Sequence, residues 1–336
     1  MNVLILSART GWHTDELCRA LSARGHAARV QPYESLVAKF SRSERSERSG
    51  RSERSLRFER SNVPNDSNLV NDPNDPNVPN DPNDCDAVLA RIIPNGSLEQ
   101  IIFRVDALHW LEDRGIPVIN SPRAIERSVD KFYTTALLLQ AGLPVPETVV
   151  CERADDAMKA IRGMLEDGGE VIIKPIFGSM GHGLVRVGDV ELAWRAVRAL
   201  EQMRSVFYVQ RAIDHGGRDA RLFVIGGKVI GAIERTAPAG DWRTNVARGG
   251  TAQPIDAPLE WRDYAISAAR AVGADYAGVD ILESRTGEPF VLEVNGIPGW
   301  QGLQAATGVD VAAAIVELVE SRVAAHRELA PEQVHA

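Results

Sequence analysis

The chain has 336 residues, a length that suits two or three domains, each with its own hydrophobic core. Its 46 acidic and 38 basic side chains give a formal net charge of -8, which argues against binding to nucleic acid or membranes through overall charge. Hydrophobic residues at 44% and charged residues at 25% exclude a wholly disordered chain, and three cysteines without a C-x-x-C pair argue against a disulfide scaffold or a zinc knuckle.

Residues 1–120 are predicted to form an N-terminal α/β domain. Apolar runs and helical patterns alternate in this order: strand 3–6, helix 15–24, strands 28–30 and 87–89, helix 98–113 and strand 117–119. This alternation predicts a parallel sheet with covering helices. No G-x-G-x-x-G follows the first strand, so the sequence does not support a dinucleotide cofactor. The first apolar run is short and follows no basic residue, and no run reaches the roughly 18 apolar residues of a membrane span, so we expect a cytoplasmic protein without a signal peptide.

A low-complexity segment interrupts this domain at residues 41–84. Residues 41–61 repeat Ser-Glu-Arg units with seven arginines and four glutamates, whereas residues 62–84 repeat Pro-Asn-Asp units with five aspartates and no basic residue. Such repeats contain few core-forming side chains, so nothing offsets the entropy lost on ordering them. We therefore predict a disordered insertion, which is tolerated because extra loop length costs little free energy. A nucleic-acid arm or a partner-recruiting tail is the alternative.

Two further domains are predicted, at 121–205 and 206–328. The first is a small α+β unit with helices 130–140, 154–166 and 189–202 and strands 170–174 and 184–187. The second contains strands 206–210, 219–225 and 228–235, helix 258–272, a strand pair at 277–283 and 289–295, and helix 310–327.

The last strand pair carries the strongest candidate site. A hairpin between these strands sets Asp280 opposite Glu293, and Asn295 shares the strand face of Glu293. Three oxygen donors of this kind suit Mg²⁺ that is held jointly with substrate phosphates. A solvent-facing polar side of the hairpin is the alternative, but two facing carboxylates would repel each other there without a cation. The apolar neighbours are predicted to face the core: Val279, Ile281, Leu292 and Val294.

A lysine and a glycine-rich loop form a second candidate site. Lys174 ends a predicted strand, and the sequence GSMGHG follows at 178–183. Glycines let backbone N–H groups approach a phosphate, and a lysine at the strand end adds a positive charge. A plain hairpin turn explains the loop equally well, and the loop lacks the Gly-Lys-Ser/Thr of a Walker A motif. Lys131 lies at the beginning of a predicted helix, and its position alone indicates no more than a solvent-exposed lysine.

The segment 234–250 is rich in arginine. It contains Arg235, Arg243 and Arg248 close to a Gly-Gly pair, and Arg221 on a neighbouring predicted strand adds a fourth. Guanidinium groups at this density suit anionic phosphoryl and carboxylate groups, with a solvated basic loop as the alternative. The candidate sites together indicate a nucleotide, Mg²⁺ and an anionic substrate.

Five motifs in this order resemble the ATP-grasp superfamily and, within it, the RimK-type ligases that add glutamate to a carboxyl group. They are SVDK at 128–131, VIIKP at 171–175, GRDAR at 217–221, GDWRTN at 240–245 with RGG at 248–250, and LEVN at 292–295. The resemblance covers residues 3–40 and 85–323. It implies a three-part ATP-grasp fold in which ATP lies between the small middle domain and the C-terminal domain.

The resemblance also implies roles for individual residues. The implied ATP-binding residues are Lys131, Lys174, the loop glycines Gly178, Gly181 and Gly183, the adenine-side hinge Gln210, Arg211 and Ala212, Asp219 near the ribose, and Arg243, Thr244 and Asn245 beside the γ-phosphate and the acceptor. The implied ligands of two Mg²⁺ ions, or of Mn²⁺ in their place, are Asp280, Glu293 and Asn295. The catalytic candidates are Arg221, Arg235, Arg243 and Asn245. Arg211 departs from the family, which commonly has an acidic residue there.

The implied reaction is an ADP-forming ligation. A carboxylate is activated as an acyl phosphate and then attacked by an amine, and cations screen the repulsion between the carboxylate and the γ-phosphate. After the metal ligands, ribosomal-protein modifiers carry Ser-Pro-Gly and then an acidic residue, whereas this chain has GIPGWQG at 296–302. Trp300 offers an aromatic face there, which favours a flat acceptor of the pterin or deazaflavin type over a protein tail. A core or rim position for Trp300 is the alternative.

Several alternatives stay open. The ligase could use another amino acid or another acceptor, such as a protein C-terminus or an amino-group carrier. A non-enzymatic ATP-binding regulator is a second class, although the metal-ligand and γ-phosphate residues are all present. A nucleic-acid-associated protein that uses the arginine-containing repeats within residues 41–84 is a third. The expected partners are ATP, L-glutamate and a carboxylate acceptor, without membrane or nucleic acid, and the question of a homo-oligomer is left open.

Overall fold

The computed structural model describes residues 1–42, 54–60, 84–178, 183–244 and 249–329, with 40–42 and 54–60 described by their backbone alone. Two compact units divide the chain, one formed by residues 1–122 and 312–336 and the other by residues 123–311. The three domains expected from the sequence, at 1–120, 121–205 and 206–328, stay a prediction. Within the described ranges, no single helix is both long enough and apolar enough to cross a bilayer.

The elements follow one another largely as the sequence predicts. The first part of the chain contains β1 (Asn2–Leu6), α1 (Trp12–Ala23), β2 (Ala27–Gln31), β3 (Leu36–Arg42), β4 (Arg54–Arg60), β5 (Ala87–Ala90), α2 (Leu98–Asp113) and β6 (Val118–Ile119). The middle contains α3 (Pro122–Val129), α4 (Lys131–Gln140), β7 (Thr148–Cys151), α5 (Ala154–Leu165), β8 (Val171–Lys174), β9 (Val185–Val187) and α6 (Val190–Gln202). The remainder contains β10 (Phe207–Arg211), β11 (Arg218–Ile225), β12 (Lys228–Thr236), β13 (Thr251–Pro254), α7 (Leu259–Val272), β14 (Tyr276–Glu283), β15 (Pro289–Asn295), α8 (Gln301–Thr307) and α9 (Val311–Leu329).

The first unit is built on the predicted parallel sheet, with strand order β2-β1-β5-β6. Its central strands are continuous apolar runs, and every residue of β5 is fully buried. Such runs are expected where helices cover both faces of a parallel sheet. Arg91 and Arg104 of this unit are buried, whereas a charged cluster lies nearer its surface: Glu320 of α9 accepts hydrogen bonds from Arg24 at 2.7 and 2.9 Å and lies 2.7 Å from His26.

Most of the predicted disordered insertion, 41–84, lies outside the described residues. The part that is described departs from the prediction, because β4 pairs antiparallel with β3 in a two-stranded sheet. The sequence of β4 explains the pairing, since Leu56 and Phe58 alternate with polar residues in the period of a strand.

The second unit contains two antiparallel sheets. The smaller has the strand order β7-β10-β8-β9. Helices α5 and α6 cover one face of it through a core that includes Ile161, Val197, Phe207 and Ile173. The opposite face carries Lys174 and Gln210, which belong to the site described below.

The larger sheet has the strand order β13-β12-β11-β14-β15. Helices α4 and α7 cover one face, where Leu138, Ala265, Leu222 and Val279 belong to one core cluster. Because successive side chains of a strand point to opposite faces, the residues between these core positions point away from the helices. The fold therefore brings the charged residues of β11, β12, β14 and β15 onto one surface.

Four elements of the second unit were not predicted. They are α3, β7, β13 and α8. Helix α3 has a signal that could have found it, since Pro122 at a first helical position is favoured by its fixed φ angle. Strand β13 is a short edge strand that ends in proline, and α8 has only seven residues, so neither gives a strong periodic pattern.

Candidate active site

A cavity lies between the two sheets of the second unit. Its empty space, including the part continuous with solvent, is ≈ 930 Å³. The structure brings these predicted site residues to its wall: Lys131, Lys174, Gly178, Gln210, Arg211, Ala212, Asp219, Arg235, Arg243, Thr244, Asp280 and Glu293. Three predicted residues lie outside the lining: Gly183, Arg221 and Asn295. Gly181 and Asn245 lie outside the described residues.

The pairing of β14 with β15 confirms the predicted hairpin. Asp280 lies opposite Glu293, and the register shifts by one residue between Asp280 and Ile281. This bulge gives β15 one extra residue, Leu292, so that Leu292 and Glu293 both line the cavity while Val291 and Val294 are buried in the core. The prediction that Leu292 faces the core is therefore wrong, because strict alternation does not hold across a bulge.

Asp280 is buried and held by two arginines. Arg221 donates to both carboxylate oxygens at 2.7 Å, and Arg235 lies 2.9 Å from one of them. Burial favours the neutral carboxyl group, but the two guanidinium groups outweigh it and hold the pKa of Asp280 well below its usual range. Asp280 therefore stays ionised at any pH at which the protein would work.

Glu293 has the opposite electrostatic environment. Its side chain is 43% exposed, and this surface faces the cavity. The protein around it and the neighbouring Asp280 charge raise the pKa of Glu293, while Arg221, 3.9 Å away, acts against the rise. Two facing carboxylates with too little positive charge between them would be stabilised by an added cation.

The donor set fits a divalent metal that also binds substrate. Among the residues that the structure describes, no three His, Cys, Asp or Glu side chains form a metal-binding group. Asp280 and Glu293 supply two carboxylates, and Asn295 lies two residues after Glu293 with its Oδ1 accepting from the N–H of Ile297 at 3.2 Å. Mg²⁺ is commonly bound by one or two carboxylates, with phosphate oxygens and water completing the shell, so these residues fit it.

Lys174 is buried against the smaller sheet and points a cation into the cavity. Its Nζ donates to Oε1 of Gln210 at 2.6 Å, and Gln210 donates in turn to Thr148 at 2.9 Å and Tyr208 at 3.2 Å. Burial lowers the pKa of Lys174 to about 8, although Glu293 acts to raise it. No described carboxylate forms a salt bridge with this lysine, so it can take an anionic ligand.

Lys131 is a second cation on the wall. It is the first residue of α4, and its Nζ donates to the carbonyl oxygens of Ile176 at 3.2 Å and Gly178 at 2.7 Å. Burial lowers the pKa of Lys131 as well. Its side chain thus reaches the beginning of the glycine-rich loop, and within the described ranges it too has no carboxylate partner.

The two described ends of the glycine-rich loop are packed on one proline. A Cβ atom added to Gly178 or Gly183 would lie 3.3 Å from the Pro175 ring. Both glycines have positive φ angles, 153° and 73°. Other residues rarely adopt such angles, so the loop requires glycine at both positions.

The predicted hinge already uses part of its backbone. The N–H of Arg211 donates to Glu147 at 2.9 Å, and the N–H of Ala212 donates to Glu170 at 2.8 Å. The Arg211 side chain donates to the Glu147 carboxylate at 2.8 Å and to the carbonyl of Met164 at 2.9 Å. Arg211 thus links the hinge to the end of α5 and pairs its charge with Glu147.

Asp219 and Arg235 form a second buried pair beside Asp280. Arg235 donates to both oxygens of Asp219, at 2.7 and 2.5 Å, and Thr244 donates to one of them at 2.6 Å. Arg243 instead pairs with Asp241 at 2.9 Å. The arginines predicted to act in catalysis are therefore held in place by carboxylates.

The cavity wall also contains residues that sequence reasoning missed. They are Pro146, Ile172, Leu184, Arg186, Ile213, His215, Trp242, Leu282 and Leu292. The alternation of β8 and β9 could have indicated Ile172, Leu184 and Arg186, which lie on the same strand face as Lys174. Leu282 follows likewise from the alternation of β14, two residues after Asp280, whereas the remaining residues come from loops and from the bulge, where periodicity gives no information.

Trp300 does not offer a face to a substrate. It is fully buried and packs edge-to-face against Phe223, with ring centres 6.4 Å apart. Of the two positions considered for Trp300, the structure shows the core position. Trp300 therefore gives no support to a flat acceptor.

Comparison with known proteins identifies the family. Residues 128–319 match the RimK-like ATP-grasp domain. The tetrahydromethanopterin:alpha-L-glutamate ligase of Methanosarcina acetivorans is 37% identical over 265 residues, which cover 71% of this chain and 81% of that protein. A protein named "Probable alpha-L-glutamate ligase" from Sodalis glossinidius is 35% identical over 240 residues, which cover 71% of this chain and 79% of its own.

Solved structures share the fold. The ATP-grasp ligase PsnB, complexed with a minimal precursor, Mg and ADP, has a TM-score of 0.67 at 21% identity, covering 96% of this chain and 98% of its own. The RimK domain protein ATP-grasp from Sphaerobacter thermophilus has a TM-score of 0.64 at 22% identity, covering 95% and 100%. At this identity the two structures confirm the predicted ATP-grasp fold. Together with the family match and the two relatives, they place this chain in the RimK-like ATP-grasp family, as an ATP-dependent ligase that joins a carboxylate to an amine through a C–N bond.

Proposed function

We propose that this enzyme joins the amine of L-glutamate to an acceptor carboxylate, with ATP as phosphoryl donor and Mg²⁺ as the metal. The observation that carries the proposal is the cavity, in which two lysines without carboxylate partners among the described residues share one wall with the facing carboxylates Asp280 and Glu293. The names of both relatives, which are alpha-L-glutamate ligases, support glutamate as the amino acid.

The adenine would lie among the apolar side chains of the cavity. These are Ile172, Leu184, Ile213, Leu282 and Leu292. Because the N–H groups of Arg211 and Ala212 are engaged, the next N–H along the hinge, that of Ile213, is the better donor to the base. It donates to no described backbone group.

His215 is the candidate acceptor for a ribose hydroxyl. Its Nδ1 lies 2.8 Å from the carbonyl oxygen of Arg218, and a carbonyl oxygen can only accept, so Nδ1 carries the proton. In the neutral ring Nε2 is then an acceptor, and His215 lines the cavity two residues after Ile213. Asp219 remains a further ribose candidate, although its two oxygens already accept three hydrogen bonds.

The phosphates would lie against Lys131 and Lys174. Asp280, Glu293 and Asn295 would hold the metal, which when bound supplies positive charge to the phosphate oxygens. Arg243 and Thr244, with Asn245, would line the side of the γ-phosphate. Arg221 and Arg235 would orient Asp280 and keep it ionised.

The reaction would proceed in two steps. An oxygen of the acceptor carboxylate attacks the γ-phosphorus, which releases ADP and forms an acyl phosphate. The glutamate nitrogen then attacks the acyl carbon, forming the C–N bond and releasing inorganic phosphate. The lysines and Arg243 would stabilise the charge that spreads over the transferred phosphoryl group.

The acceptor proposed first is a pterin-type cofactor. The relative from Methanosarcina acetivorans supports this acceptor, because its name contains tetrahydromethanopterin. A deazaflavin and a peptide that ends in a carboxylate are the alternatives to be compared with it.

Phosphate release from ATP and Mg²⁺ with L-glutamate tests this proposal, with each acceptor added separately. We expect release that depends on the acceptor and a product that is heavier by one glutamyl residue in the mass spectrum. Release with another amino acid but not with glutamate would contradict the glutamate assignment. Tight ATP binding without release in any mixture would contradict the proposed reaction.

A further inference from the structure

One aromatic ring on the cavity wall lies between two cations. Trp242 follows β12, and the guanidinium carbon of Arg186 lies 5.7 Å from its ring centre. The guanidinium carbon of Arg243 lies 5.8 Å from the same ring. All three side chains line the cavity.

The two arginines come from different sheets. Arg186 is the middle residue of β9, opposite Ile172 in the smaller sheet, and both line the cavity. Trp242 and Arg243 belong to the loop that leaves the larger sheet after β12. The contact between Arg186 and Trp242 therefore joins the two sheets across the cavity.

Each guanidinium is only partly satisfied. Arg186 uses Nε and one terminal nitrogen on Glu170, and Arg243 uses Nε and one terminal nitrogen on Asp241. Their other terminal nitrogens donate to no described residue, and the side chains are 26% and 25% exposed. Two like charges on one cavity wall repel each other, whereas the negative face of an indole ring attracts both.

We infer that Trp242 is a positioning residue that holds Arg186 and Arg243 so that both donate to the anionic groups of the reactants. Arg186 thereby becomes a substrate-facing cation of the smaller sheet that no sequence motif indicates. This inference rests on the proposed function, because it needs phosphoryl and carboxylate groups between the sheets. We expect the two positioned arginines also to hold the acyl phosphate in place, so that the amine attacks it before water does.

Loss of the ring has two expected consequences. ATP binds more weakly, because the two arginines no longer share a fixed position. The acyl phosphate is also hydrolysed more often before the amine attacks, so more phosphate is released per product molecule formed. A residue that only maintained the fold would change the amount of active enzyme but not this ratio.

The chain provides a matched control. Trp194 on α6 has the guanidinium carbon of Arg198 6.0 Å from its ring, is 48% exposed and lies outside the cavity lining. Trp194→Ala removes the same kind of ring contact at a site without substrate. It should leave ATP affinity and the phosphate-to-product ratio unchanged.

The experiment compares Trp242→Ala, Trp242→Phe and Trp194→Ala in the full-length protein. Binding of a non-hydrolysable ATP analogue with Mg²⁺ is measured by calorimetry, and phosphate and product are measured in the assay described above. We expect Trp242→Ala to weaken binding by about 3- to 30-fold, the range that corresponds to a cation–π contact, and to raise the ratio. Trp242→Phe keeps an aromatic face and should recover most of both.

Arg186→Lys and a double variant separate stacking from charge. Lysine keeps the charge but not the planar group that stacks on the ring, so Arg186→Lys should raise the ratio while retaining part of the ATP affinity. Arg186→Ala combined with Trp242→Ala should lose less ATP affinity than the sum of the two single losses, because part of each loss acts through the same guanidinium group. Additive losses would contradict the inference.

Two further outcomes would overturn it. One is equal behaviour of Trp242→Ala and Trp194→Ala. The other is equal impairment of Trp242→Ala and Trp242→Phe with an unchanged ratio, which would indicate packing only. If the wild-type enzyme releases no phosphate with any acceptor, the proposed function fails, while the calorimetric comparison still decides the role of the ring.

Discussion

The parallel sheet of the first unit and the five-stranded sheet of the second bury very different side chains. The parallel sheet buries continuous apolar runs and keeps Arg24, His26 and Glu320 near the surface. The five-stranded sheet buries Asp219, Arg235 and Asp280, each at most 6% exposed. Buried ion pairs contribute little stability compared with apolar residues of the same shape, so we expect the five-stranded sheet to retain them for the proposed reaction.

Removing the charge of Glu293 should separate activity from stability most strongly. Glu293→Gln keeps the shape but removes one carboxylate of the proposed metal site, so we expect phosphate release to fall by about 10²-fold or more. Because the folded state raises the pKa of Glu293, its ionised form destabilises the protein as pH rises through that pKa. The variant should therefore melt at an equal or higher temperature than wild type at pH 7 without metal. Near-normal turnover would contradict the metal assignment.

Breaking the buried pair should cost the most stability. Arg235→Ala leaves two buried carboxylates with one cation fewer, and we expect a loss of about 3–5 kcal/mol in the free energy of unfolding. Urea denaturation followed by circular dichroism measures this loss. A loss below about 1 kcal/mol, the value typical of a surface ion pair, would show that the two sheets do not differ in this way.

Lys174 gives the cavity a pH dependence that the apolar sheet cannot have. Its pKa of about 8 means that the cation needed for phosphate binding is lost as pH rises above that value. We expect kcat/KM for ATP to fall on the alkaline side with a midpoint near pH 8. Lys174→Arg should extend activity to higher pH, since arginine stays charged. The same alkaline midpoint in both enzymes would exclude Lys174 as the titrating group.

His215 should have a smaller effect that depends on the nucleotide. Loss of one hydrogen bond corresponds to about 2- to 12-fold in affinity, so His215→Ala should weaken ATP binding within this range. The variant and the wild type should bind 2′,3′-dideoxy-ATP equally, because the hydroxyl partner is already absent. Equal losses for both nucleotides would assign His215 a role other than ribose binding.

The surface cluster of the first unit should matter least. Arg24 and His26 lower the pKa of Glu320 to about 2, so its contribution to stability is present above its unfolded-state pKa and is lost as pH falls towards 2. Because the Glu320 side chain is 30% exposed, we expect Glu320→Ala to cost at most about 1 kcal/mol at pH 7. Thermal melts of Glu320→Ala and wild type should show a smaller difference in stability at pH 3 than at pH 7.

Much of the site can be predicted from the sequence, because the pattern of neighbouring residues along the chain sets how its strands pair. The pairing of Asp280 with Glu293 follows from the alternation of two strands and the turn between them, and the structure confirms it. Lys131 and Lys174 also occupy the predicted positions, at the beginning of a helix and at the end of a strand. Their common feature is that neighbours along the chain decide where the side chain points.

The features that were missed depend on residues distant in sequence. Trp300 and Trp242 are both loop tryptophans, and nothing local shows that one packs against Phe223 while the other lines the cavity. The sequence likewise gives no sign of the bulge at Leu292, because the bulge inserts one residue into an otherwise regular strand pattern. Tertiary packing rather than propensity decides such positions.

The bulge in β15 also separates two parts of the hairpin that could otherwise move together. Pairs between the turn and Val291 follow one register, and pairs from Glu293 to Asn295 follow another. A relative could therefore lengthen or shorten the turn and absorb the change at the bulge. Asp280 would keep both its pairing with Arg221 of β11 and its position opposite Glu293.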